Sequence, residues 1–152
     1  MKTFSSIDEI LDFAMDSEQQ AVDFYTDLAE KMKNPEMKEV FLEFAREEVS
    51  HKARLQRIKD EGVFDMKIEN DVKDLKIADY VVNTKPVEDL EYADALILAM
   101  KKEKAAFKLY TTLSERTENL ELKKAFKVLA VEESRHKLRF ELEYDEYVMR
   151  EN

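Results

Sequence analysis

The sequence predicts an all-α protein, a four-helix bundle built from two helical hairpins joined by a long crossover. Three observations carry this expectation. Apolar residues recur at steps of three and four over four long segments, the spacing of one helix face. Only one glycine and two prolines punctuate 152 residues, too few for a fold that turns every 8–12 residues or so. And 44% of the chain is hydrophobic, enough to build a core despite a charged fraction of 39%.

The first helix is expected over about residues 5–32. Ser6 and Glu9 have the spacing of a capping box, and Ile7, Ile10, Leu11, Ala14, Met15, Ala21, Val22, Tyr25, Leu28, Ala29 and Met32 trace one stripe. The second spans about 35–61, between an Asn34-Pro35 start and the sole glycine, Gly62. Residues 62–87 lose the period and read as the crossover, with a short ordered piece inside. A third helix over about 88–116 carries Leu96, Ala99, Met100, Ala106, Phe107, Tyr110 and Leu113. A fourth covers about 120–149, through Leu122, Phe126, Leu129, Phe140 and Tyr147. The whole reads as a single domain, 1–152.

The two halves repeat each other at a shift of 85 residues, with 20 of the 48 positions from 14 to 61 identical and no gap. Glu18 falls on Glu103, Tyr25-Thr26 on Tyr110-Thr111, Glu47-Glu48 on Glu132-Glu133, and His51-Lys52 on His136-Lys137. A duplicated hairpin implies a pseudo-twofold relation between the halves of the bundle.

Composition removes several functions. Without cysteine there is no disulfide framework, no thiolate-held zinc or iron–sulfur centre and no thiol nucleophile. A formal charge of −10 argues against nucleic acid or an anionic membrane as partner. No apolar run reaches the ~18 residues of a membrane span and the N-terminus lacks a signal peptide's apolar stretch, so a soluble, cytoplasmic protein is expected.

The repeat's most informative members interrupt the apolar stripes. Glu18 lies between Met15 and Ala21, and Glu103 between Met100 and Ala106. Glu48 follows Ala45 by three and His51 follows Glu48 by three; Glu133 and His136 repeat this after Ala130. Residues three apart on a helix share a face, so each Glu-x-x-His pair offers an oxygen and a nitrogen to one point. Four clustered carboxylates in a bundle interior repel one another and cost several kcal/mol each if unpaired. Two divalent cations cancel the four charges, one histidine to each. Isolated Glu-x-x-His pairs on charged helices carry no such meaning; the duplication at matched positions is what singles these out. Tyr25 and Tyr110, seven residues beyond Glu18 and Glu103, are either core aromatics or hydroxyls that bond a ligand carboxylate or act as local reductants. Met15 and Met100 read as packing, and Glu47 and Glu132 either as solvated neighbours of the motif or as groups that support a ligand.

Through Glu18-x6-Tyr25, Glu48-x-x-His51, Glu103-x6-Tyr110, Glu133-x-x-His136 and the crossover, nearly the whole chain resembles the rubrerythrin-like branch of the ferritin-like diiron-carboxylate superfamily. The resemblance implies two iron ions, with Glu48 and Glu133 bridging, Glu18 and Glu103 as terminal carboxylates and His51 and His136 as terminal nitrogens. It implies an oxidoreductase whose reduced di-iron site reacts with hydrogen peroxide or dioxygen, as a peroxidase or ferroxidase. Rubrerythrins proper add a cysteine-ligated rubredoxin domain; with no cysteine here, electrons are expected from a separate rubredoxin-like donor protein. They also carry a further glutamate three residues after the third-helix ligand, where this chain has Ala106, mirrored by Ala21.

Two other functions fit the same residues: iron binding and handling without turnover, or a structural site for manganese or zinc, since oxygen and nitrogen donors accept all three metals. Phe13, Phe24, Leu42 and Val128 lie outside the stripes and suggest helix–helix association in a homodimer.

Overall fold

In the computed structural model, which describes residues 2–151, capping signals in the sequence set where the helices begin and end. α1 (Ile7–Lys31) starts at Ser6, whose hydroxyl accepts the Glu9 amide at 3.1 Å. α2 (Pro35–Glu61) starts at Asn34, whose side-chain oxygen accepts the amides of Glu36 at 2.9 Å and Met37 at 3.4 Å. It stops at Gly62, which takes a left-handed φ of 60° and returns its N–H to Ile58 O; only glycine adopts that conformation without strain. Two compact units result. Ser5–Val63 forms one, and Met1–Phe4 with Phe64–Asn152 the other.

The first unit is a hairpin of α1 and α2. Ile10, Leu11, Ala14, Leu28 and Ala29 of α1 are buried, as are Met37, Phe41, Ala45 and Leu55 of α2. Tyr25 stacks on Phe41 with ring centroids 6.3 Å apart, and Lys59 reaches Asp12 at 2.6 Å.

The second unit repeats the hairpin with α4 (Tyr92–Glu115) and α5 (Leu120–Glu151), preceded by the crossover. Asn119 accepts the Leu122 amide at 3.1 Å, as Asn34 does for α2. The crossover holds more order than its irregular sequence suggests. It contains α3 (Met66–Asp71) and 3₁₀ turns at Ile77–Asp79 and Val87–Asp89. Its Lys76 forms an isolated antiparallel bridge with Thr3, flanked by Phe4 N–H to Leu75 O at 3.0 Å and Ile77 N–H to Lys2 O at 3.2 Å. Ile68, Val72, Leu75, Tyr80 and Val87 are buried, which is what fixes this segment. Arg116 donates to Asp71 O and to Asp74 at 2.9 Å.

Three expectations need correction. The third long helix begins at Tyr92, not near 88, because Val87–Asp89 closes a 3₁₀ turn and Leu90 leaves it in extended backbone. Phe107 is 39% exposed, at the margin of the stripe of Glu103, Tyr110 and Leu113. Phe24 is buried beside Tyr25, leaving Val128 as the exposed member of the four residues read as an association surface. No described helix is long and apolar enough to cross a membrane.

Asp65 ties the start of α3 to the α4–α5 turn by accepting from the Thr117 hydroxyl and, at 3.1 Å, the Glu118 amide. Burial pushes its carboxyl up, but hydrogen bonds from Thr117 and Glu118 outweigh this and hold it below the ordinary 3.8. A group whose folded value is depressed stabilises above its unfolded pKa and loses that contribution as pH falls through the folded one. Asp65→Asn should therefore be less stable than wild type at pH 7, and the gap should close below about pH 4 in urea titrations.

Candidate metal centre

In the first hairpin Glu18 sits mid-way along α1, and Glu48 and His51 one turn apart on α2. All three are at most 2% exposed. His51 Nδ1 lies 3.3 Å from Glu48 Oε1 and 3.7 Å from Glu18 Oε2. In the second hairpin Glu103 of α4 and Glu133 and His136 of α5 are equally buried, with His136 Nδ1 3.6 Å from Glu103 Oε2. Each triad offers one donor atom per residue, all within 4.8 Å of one another. The six residues singled out by the repeat thus gather as two like triads, one per hairpin.

The helices position these groups by simple arithmetic. Glu18 lies one turn from Met15 and Ala21, both buried, so the carboxylate shares their inward face. Glu48 takes its direction from Ala45, and His51 from Glu48. Small residues at 14, 45, 99 and 130 leave room beside the charged groups.

Each triad carries two carboxylates and one imidazole, all buried from the surface. Two negative charges so buried would be costly unless neutralised, and a divalent cation supplies +2 against them. Carboxylate oxygens with one imidazole nitrogen suit iron, manganese or zinc and offer nothing to thiophilic ions. The donor set therefore fits one divalent ion per triad.

Tyr25 and Tyr110 are fully buried at equivalent positions, seven residues past Glu18 and Glu103. Tyr25 packs against Phe24 and Phe41. Glu47 and Glu132 are half-buried and engaged with neighbours.

One half-buried polar pair lay outside the sequence expectations. Tyr92 donates its hydroxyl to Glu143 at 2.8 Å, and its ring meets Tyr147 edge-on with centroids 5.0 Å apart. Glu143 is 3% exposed, and Arg150 lies 3.5 Å from its carboxylate. Burial, together with the Glu143 carboxylate, drives the Tyr92 phenol well above its ordinary pKa. The signal was present as a break in the repeat, since positions 92 and 143 match Ile7 and Ile58.

A family model for rubrerythrin matches residues 9–144. The chain belongs to the rubrerythrin family. Among solved structures it is similar to a ferritin-like diiron-carboxylate protein of Thermotoga maritima, at 25% identity and a TM-score of 0.80, over 97% of this chain and 99% of that one. It is also similar to a hypothetical protein of Pyrococcus furiosus, at 30% identity and a TM-score of 0.71, over 92% and 89% of the two chains. No curated protein matches the sequence. The Thermotoga likeness gives the chain the ferritin-like fold, and the buried glutamates and histidines fit the dimetal chemistry of that class.

Replacing Glu48 by alanine should remove at least one equivalent of bound metal per chain, whereas Glu47→Ala should retain the full complement. Elemental analysis of the two purified variants checks this, and equal losses would show that the inward-facing glutamate is misassigned.

Proposed function

We propose that this chain is a non-haem di-iron oxidoreductase whose reduced centre reacts with hydrogen peroxide or dioxygen. The observation that carries the reading is the duplicated, buried set of glutamate plus Glu-x-x-His in a chain of the rubrerythrin family. In this reading Glu18, Glu48 and His51 would hold one iron and Glu103, Glu133 and His136 the other. When bound, such a metal pair supplies electrons to an oxidant and polarises its oxygen atoms.

The protein's own residues have definable tasks. His51 and His136 would each give one ring nitrogen to a metal, leaving the other nitrogen as the N–H donor. The carboxylates would balance the positive charge of the ions. Ala14, Ala45, Ala99 and Ala130, with Met15 of α1, exclude water from the donor groups. Tyr25 and Tyr110 can hydrogen-bond a ligand carboxylate, or give up an electron from the ring and a proton from the hydroxyl. With no cysteine in the chain, electrons would come from a separate donor protein of rubredoxin type.

A second reading is supported by the donor set itself. Oxygen and nitrogen ligands do not select iron, so iron handling without turnover, or a manganese or zinc site, uses the same six residues. A cytoplasmic setting, where ferrous iron and reduced donors are at hand, fits the reading. A homodimer is part of it: Val128, Val131, Leu138 and Leu142 are 42–56% exposed along one face of α5, where α2 carries Glu43, Arg46, Ala53 and Arg57.

Ferrous iron added anaerobically should raise the melting temperature, by roughly 5–10 °C at a hundredfold excess over the dissociation constant. A chelator should reverse it. Protein purified without added metal should contain about two irons per chain by charge balance, with a visible ferric band that bleaches on reduction and returns with peroxide. Two zincs, or a ferrous-loaded protein with no peroxide-dependent spectrum, would sink the redox reading and leave the metal site.

A further inference from the structure

The hairpin repeat is broken most sharply on the outer face of α4. Lys101, Lys104 and Lys108 stand at i, i+3 and i+7, one stripe of the helix. At the matching positions α1 carries Asp16, Gln19 and Asp23. A stripe that is neutral or acidic in one copy of the hairpin has become wholly basic in the other, on a chain whose net charge is −10.

The crossover turns this stripe into a cleft. Asp79, Val81, Val82 and Asn83 form one wall, and Leu98, Ala105 and the three lysines the other, of an open cleft of about 420 Å³. That volume lies within the range of small-molecule sites. Its walls are fixed at both ends. Lys102 Nζ donates to Thr84 Oγ1 at 2.7 Å, and Lys108 Nζ lies 5.5 Å over the ring of Tyr80, itself buried against Phe4. Among the described residues, none of Lys101, Lys104 and Lys108 is engaged in an ion pair. In the first hairpin the matching Gln19 is occupied, bonding Lys52 and Asp23 at 3.0 Å.

We propose that this cleft binds a small phosphomonoester with a ring-sized apolar body. Three ammonium groups set against the Asp79 carboxylate leave +2, the complement of a phosphate monoester near −2. Charge-assisted bonds from the lysines take the phosphate oxygens. Val82, Leu98 and Ala105 face the body, and the Asn83 amide offers one donor and one acceptor to its polar edge. The proposal stands apart from the metal chemistry, since none of its residues is a donor of either triad.

The test uses the full chain, titrated with adenosine monophosphate and, separately, inorganic phosphate, read by amide resonances. The control variant is K101D/K104Q/K108D, which installs the residues α1 carries at these positions. Wild type should show saturable shifts with adenosine monophosphate centred on 79–83 and 98–108, with phosphate binding several-fold weaker. The triple variant should lose affinity by about tenfold or more, with its melting temperature within a few degrees of wild type. Absence of saturation at about 10 mM, or unchanged affinity in the variant, overturns the site. Equal affinity for inorganic phosphate overturns the apolar body. Shifts at the cleft with polyglutamate but none with adenosine monophosphate overturn the small-molecule reading in favour of an acidic protein partner.

Discussion

A helix face that buries a carboxylate must compensate it, and nearly everything else in this chain follows from doing so twice. Each hairpin carries two inward glutamates and one histidine at the centre of an otherwise apolar stripe. Apolar packing alone would expel them. Their retention in both copies, with small alanines beside them, turns a destabilising feature into a donor set for a divalent ion. A divalent ion held there would therefore stabilise each hairpin's midsection, while its ends rest on caps and apolar contacts that need none.

Duplication makes the divergences as informative as the matches. Where both copies keep a residue, the shared constraint is the donor set or the packing beside it. Where they part, one copy has taken on a separate task. The outer stripe of α4 has exchanged acid for base, the outer stripe of α5 has exchanged charge for aliphatic side chains, and the α4–α5 pair has a phenol bonded to a buried carboxylate where the first hairpin has two isoleucines.

Much of this was legible in the sequence. Ser6, Asn34 and Gly62 mark helix ends through local chemistry alone, and the three-residue spacing from Ala45 to Glu48 to His51 states which way the donors face. The crossover was less legible because its order comes from contacts distant in sequence: Leu75 with Phe4, Asp65 with Thr117 and Glu118, Tyr80 beneath Lys108. Periodicity cannot report such contacts. The displaced start of α4 has the same origin, since Val87 is buried in a 3₁₀ turn whose local composition would also suit a helix. Phe24 and Phe107 went wrong in opposite senses because a stripe about 100° wide does not decide residues at its margins.

The Tyr92–Glu143 pair bears on how a duplicated chain avoids pairing with itself wrongly. Two hairpins so alike could exchange helices, within one chain or between nascent copies. In a hybrid of α1 with α5, Glu143 would face Ile7 and lose the Tyr92 hydroxyl, keeping only Arg150 of its own helix, a penalty of about 1–3 kcal/mol. In a hybrid of α4 with α2, the Tyr92 hydroxyl would be stranded against Ile58. One hydrogen bond of 2.8 Å thus works as a key that fits a single lock, making the correct partner helix the only one that leaves no polar group abandoned.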